Sequence, residues 1–243
     1  MFFVSTSLPH RRTQVAALYT TTQSHLDHIV YTNFVHNTMS TPTTNGNKPH
    51  LDSFDSIHTF LTTRHPYPVL PAASPNPHHP SLAHAISSLS LHPTLESVLH
   101  LLNNDLPSAH FLCRHMQNAP AWEGMLLHGV LHRIENDYRN AEAWYNNVRD
   151  SECFAYVWGE YGGVEGGKEF THAVERLRKE KVGDVGELER VSEREIERLT
   201  RWCRERFGTG RWEDATEAWV EPSEENRQIA SKMLIGGEGW RQF

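Results

Sequence analysis

Residues 120–145 read PAWEGMLLHGVLHRIENDYRNAEAWY, and this stretch decides both the fold class and the candidate site. Leu127, Leu131 and Ile134 recur at helical spacing. Pro120 suits a first turn, Asn118 can cap it, and Glu123 favours the positive end of the helix dipole. A helix turns about 100° per residue, so His128, His132 and Glu135, at offsets of zero, four and seven, fall within about 60° of one another. Ala121, Gly124 and Met125 share that side, whereas Glu123 lies about 140° from His128 and is left out of the set. Asn136 and Asp137 then read as a turn, which predicts a second helix over about 138–148 with Ala141, Trp144, Tyr145 and Val148 inward.

Two imidazoles and a carboxylate on one face suit a divalent metal, Zn²⁺ or Fe²⁺, with His128, His132 and Glu135 as ligands. The same three groups suit a metal-free acid–base cluster equally well. A preceding helix is expected over 106–117, capped by Asp105, and on it His110, Arg114 and Gln117 share a face while His115 points away. His110, Gln117 and Arg133 are therefore the candidate catalytic residues beside the metal set. Burying such groups unpaired would cost roughly 1–3 kcal/mol each, so they either solvate one another or surround a ligand.

Composition narrows the classes. A net charge of -7 over 243 residues argues against a nucleic-acid binder, and 38% hydrophobic residues support a real core. Cys113, Cys153 and Cys203 are far apart and form no C-x-x-C pair, which excludes a zinc ribbon and points to a reducing compartment. No apolar run has the length of a membrane span. A cytoplasmic location is expected, with a mitochondrial one as the alternative, because residues 1–23 are acid-poor, hydroxyl-rich and carry Arg11 and Arg12. Met39 opens an equally ordinary N-terminus.

Taken in order, residues 1–50 lack periodicity and read as a disordered extension. Residues 51–80 read as a short helix (LDSFDSIHTFL) followed by a Pro/His-rich linker, and a single helical domain spans 81–243. Helices are expected from about 82 and from Pro93, each with apolar residues at helical spacing. Residues 162–168 nearly spell G-x-x-x-x-G-K, but Glu169 stands where Ser or Thr is needed, so 151–168 reads as a flexible connector. Charged helices follow over 169–181 and 187–207, the latter with Ser192 and Glu195 as a capping box, and a short helix over 214–220. Strand alternation is lacking throughout. The expected fold is all-α, a compact helical bundle.

The strings PSAHFLCRHMQ (107–117) and EGMLLHGVLHRIENDYRNAEAWYNNV (123–148) resemble a family of uncharacterised helical proteins, fungal and more distantly bacterial. Its pattern is approximately H-x-x-x-H-R-x-E-G-D-x-x-N-A-x-x-W-Y. The chain matches at His128, His132, Arg133, Glu135, Asp137, Asn140, Ala141, Trp144 and Tyr145. It departs at Asn136, where Gly is usual and where Asn also tolerates a left-handed turn. The likeness covers about residues 94–150 and implies a site without naming a reaction. Residues 137–145 also resemble the turn and second helix of a tetratricopeptide-type pair, with no copy evident at a period of roughly 34 residues. Three readings stand open: a metal-dependent enzyme acting on a small molecule, a metal-free enzyme with a histidine base, and a helical module binding a protein partner.

Overall fold

The computed structural model describes residues 50–224 and 227–228. The N-terminal extension, the presequence reading and the C-terminal GGEGWRQF lie outside these, His50 excepted. The described residues are mostly helical, and their only bridge of strand type joins Met116 to Val220. Nine α-helices appear among them: α1 (Phe54–Thr62), α2 (Leu82–Ser88), α3 (Pro93–Leu102), α4 (Leu106–Arg114), α5 (Trp122–Ile134), α6 (Tyr138–Val148), α7 (Glu152–Trp158), α8 (Gly163–Glu180) and α9 (Val185–Phe207). Short 3₁₀ turns cover Gly159–Tyr161 and Ala215–Ala218. No helix among the described residues is long and apolar enough to cross a membrane.

Helices α3 and α5 form the centre. Nearly every residue of LESVLHLL in α3 and GMLLHGVL in α5 is buried, and both helices are enclosed on several sides. Helices α1, α2, α4, α5 and α9 pack on α3, while α4, α6, α7 and α9 pack on α5. The starts follow local chemistry: Ser53, Asp105, Asp137, Ser151 and Asp184 each accept a hydrogen bond from a first-turn amide. Helix α5 departs from its expected start. It begins at Trp122 with Ala121 at the cap position and no side-chain cap bond, after a turn containing the cis Ala119-Pro120 bond. Asn118 instead donates to the Glu221 carbonyl.

Several expectations are corrected. Residues 51–80 belong to the same compact unit as the rest: Phe54, Ile57, Leu61 and Val69 are buried, and Ser192 Oγ donates to the Pro68 carbonyl over 2.7 Å. Tyr67 also donates its hydroxyl proton to Glu197, so the proline-rich run straps across α9. The connector expected over 151–168 is α7, a 3₁₀ turn and the start of α8. Two of its glycines serve close contact, since a Cβ at Gly166 would sit 1.8 Å from the Tyr161 carbonyl oxygen and one at Gly167 3.0 Å from the Tyr145 ring. A phosphate-cradling loop is accordingly missing there. Ser192 and Glu195 lie buried in mid-α9, so they make no capping box.

A tandem copy is present after all, at an offset of 32 residues. Leu95, Val98, Leu99, His100, Asn104, Asp105 and Ala109 recur as Leu127, Val130, Leu131, His132, Asn136, Asp137 and Ala141. The backbone repeats as well. Asn104 and Asn136 adopt φ of 56° and 68°, and the following aspartate amide donates to the histidine carbonyl over 2.8 Å in both hairpins. Each aspartate carboxylate then accepts from the amide three residues on, at 3.4 Å in both. Hairpins α3–α4 and α5–α6 are thus two versions of one unit.

Candidate metal centre

The junction between these hairpins carries the candidate site. Because α4 packs on α5, His110 of α4 meets His128 and His132, which lie one turn apart on α5. One ligand nitrogen from each of the three lies within 4.8 Å of the others. His128 and His132 stack at 4.8 Å between centroids and 17° between planes, and His110 meets both edge-on at 5.2 Å. The indole of Trp144 stacks on the far face of His128 at 4.7 Å, backing the cluster with an apolar wall.

Neighbouring groups bear on the ring nitrogens of His110 and His132. His110 Nε2 is 2.8 Å from Glu135 Oε2 and donates to it, which leaves the lone pair on Nδ1. That Nδ1 is buried without a hydrogen-bond partner, as is Nδ1 of His128. His132 Nδ1 lies 3.3 Å from Asp137 Oδ2, and its Nε2 is 3.2 Å from the Asn140 amide nitrogen. Burial pushes the His128 pKa well below its ordinary value, and the neighbouring His132, His110 and Arg114 push the same way. Burial opposes ionisation of Glu135, yet the His110 hydrogen bond and the charges of His110, His132 and Arg114 hold its carboxyl below the usual range. The cluster therefore sets the neutral His128 imidazole and two further imidazoles beside an ionised carboxylate.

Of the residues singled out from sequence, the structure brings His110, His128, His132 and Glu135 together. His110 enters as a third imidazole, while Glu135 caps α5 and orients His110 from outside the nitrogen cluster. Gln117 falls three residues beyond the end of α4 at Arg114, so the helical offset from His110 does not apply to it. Arg133 is 0% exposed and pairs with Glu195 at 2.8 Å, in a separate network with Tyr145 and Trp158. His115 stands apart as expected, stacked on Trp219 at 4.5 Å. Glu123 is also apart, accepting from Trp202 Nε1 at 2.7 Å. Asp137, Asn140 and Trp144 were matched in the sequence motif but not assigned to the site.

Comparison with protein-family models, curated proteins and solved structures finds no match. The chemistry of the site thus rests on its own geometry. Three surface clefts, one lined by α9 and Thr209, one by Phe207 and Trp212, and one of about 260 Å³ against the Pro66–Pro68 strap, are lined by other residues. Beside the buried His110, the Glu135 side chain is 37% exposed.

Proposed function

We propose that the protein is a divalent-metal-dependent enzyme acting on a small molecule, with zinc or ferrous iron held by His110, His128 and His132. The supporting observation is the convergence of three imidazoles of which two, His110 and His128, bury an unpartnered Nδ1. Leaving such an atom unsatisfied costs about 1–3 kcal/mol, a penalty that coordination removes. Three imidazoles are a donor set of the catalytic zinc type, in which a fourth position would carry water that the ion acidifies. Glu135 is the ionised, partly exposed carboxylate beside them and would hold a proton during turnover. The small-molecule substrate would approach from this side.

A second reading has its own observation. The two tandem hairpins have the helix–turn–helix form of tetratricopeptide-type pairs, a scaffold class whose stacked repeats present binding surfaces. On that reading the chain is a non-enzymatic interaction module, and the carboxylate-paired histidines are a structural polar network.

Elemental analysis and zinc titration of untagged protein separate the two. The metal reading expects one equivalent of zinc or iron, lost in His132→Ala and retained in His115→Ala, with the His132→Ala thermal midpoint little changed. Wild-type protein that takes up neither ion, together with severe destabilisation in His132→Ala, would leave the structural network.

A further inference from the structure

We infer that Asp137 is a positioning residue of the metal site: it fixes the His132 ring so that Nε2 presents its lone pair to the cluster. The inference rests on the metal reading above, and the duplicated hairpin supplies an internal comparison. In the first hairpin, His100 Nδ1 lies 3.0 Å from Asp105 Oδ2, and Nε2 lies 3.8 Å from Glu96 Oε1. Both nitrogens of His100 therefore face carboxylates, and the ring is a buried polar lock. In the second hairpin the aspartate contact recurs as His132 Nδ1 to Asp137 Oδ2 at 3.3 Å. The position of Glu96 is taken by His128, 32 residues on. The carboxylate on Nδ1 is retained while the carboxylate beside Nε2 becomes a second imidazole.

This exchange changes the chemistry available at Nε2. The Asp137 carboxylate 3.3 Å from Nδ1 and the Asn140 amide nitrogen 3.2 Å from Nε2 favour the tautomer protonated on Nδ1, whose Nε2 accepts from Asn140 and would exchange that contact for an ion. The anionic carboxylate also strengthens Nε2 as a donor, as outer carboxylates do for ligating histidines generally. Glu135 acts in the same way from the other side, holding the Nε2 proton of His110 so that Nδ1 is the free donor. Two of the three ligands are thus carboxylate-oriented, each through the nitrogen remote from the ion. His128 is held instead by stacking against Trp144 and His132.

The test uses the full chain and the same substitution in each hairpin. Asp137→Asn and Asp105→Asn both keep a side chain that caps well, so each removes the charge while preserving the helix start. Zinc affinity is read by competition with a chromophoric chelator, and stability by urea unfolding of the same samples. Asp137→Asn should weaken zinc binding about 10- to 100-fold, while Asp105→Asn leaves it within about twofold and unfolds with a similar midpoint. Ring nitrogen shifts of the metal-free wild type should report His132 as the Nδ1-protonated tautomer. Unchanged zinc affinity in Asp137→Asn, or equal losses in both variants, overturns the role of Asp137 while leaving the three-histidine site standing. A wild-type chain that takes up no zinc removes the metal reading itself.

Discussion

Glu195→Gln should be among the most damaging single substitutions, although it changes one atom. Glu195 lies in the core and accepts through Oε1 from Tyr145 Oη at 2.6 Å and Trp158 Nε1 at 3.0 Å. Its Oε2 accepts from Arg133 Nη2 at 2.8 Å. Arg133 has few other resources. Its Nη2 also donates to Ser192 at 3.3 Å and its guanidinium lies 4.5 Å over the Phe170 ring, but Nε and Nη1 have no hydrogen-bond partner. Burial works against the Arg133 charge, and Glu195 more than offsets it, so the residue stays cationic. Replacing Oε2 by an amide sets a donor against a donor and leaves that cation unneutralised. Breaking a buried pair in this way costs about 3–5 kcal/mol, and at 2–4 °C per kcal/mol that is a thermal midpoint lowered by roughly 6–20 °C. Urea unfolding followed by tryptophan fluorescence and circular dichroism measures it. The double variant Arg133→Met/Glu195→Gln should recover much of the loss, because no buried charge remains. It should also bind zinc like wild type, since Arg133 belongs to this network and not to the histidines. A Glu195→Gln cost below about 1 kcal/mol, or strictly additive single variants, would refute the argument.

Three further outcomes follow from particular contacts. Trp144→Ala should cost about 3–5 kcal/mol by chemical denaturation and weaken zinc uptake, because the indole backs the His128 ring. Gly166→Ala places a Cβ 1.8 Å from the Tyr161 carbonyl oxygen and should destabilise by about 3 kcal/mol or more, whereas Gly159→Ala, with open space around it, should stay within about 0.5 kcal/mol of wild type. His92 caps α3 by accepting from Thr94 N through Nδ1, and its pKa is pushed down to about 4 by burial and then by Arg206. The unfolded chain therefore takes up the His92 proton first: this stability is intact above pH ~6.5 and is lost towards pH 4, by at most about 1.4 kcal/mol per pH unit. Urea midpoints between pH 7 and 4.5 should fall less steeply in His92→Asn.

Periodicity made the α5–α6 hairpin legible, because Leu127, Leu131 and Ile134 mark a helix and Asn136 with Asp137 marks its turn. The second helix falls where the pattern placed it, at Tyr138–Val148. Other elements were hidden for physical reasons. The glycines at 162–167 resemble a loop in sequence, yet the Tyr145 ring and the Tyr161 carbonyl need residues without a Cβ inside a helix. Ser192 and Glu195 imitate a capping box because the spacing of three that serves a cap also puts two side chains on one buried face. Arg133 next to His132 looked like part of the site, but adjacent helical residues point about 100° apart, and the guanidinium pairs with Glu195 instead. The chemistry of His110 was readable from the parallel offsets on two helices. Its role as a third nitrogen, with Glu135 behind it, depends on how α4 docks on α5, which no local pattern specifies.

The duplication explains why the cluster stands where it does. Each hairpin carries its own histidine–aspartate lock, His100 with Asp105 and His132 with Asp137, so that pair alone makes no metal site. Among the positions that differ between the copies, two decide where the imidazoles stand. Glu96 in the first corresponds to His128 in the second, and His110 in the first corresponds to Glu142 in the second, where the carboxylate pairs with His172 at 2.7 Å. The three imidazoles therefore come from the second helix of one copy and the first helix of the next. Neither hairpin contains the set, and only their packing assembles it. Any change that slides α4 along α5 by one turn, about 5.4 Å, would leave both hairpins folded while removing His110 from the other two. Metal affinity should accordingly follow the α4–α5 contact more closely than it follows the stability of either hairpin.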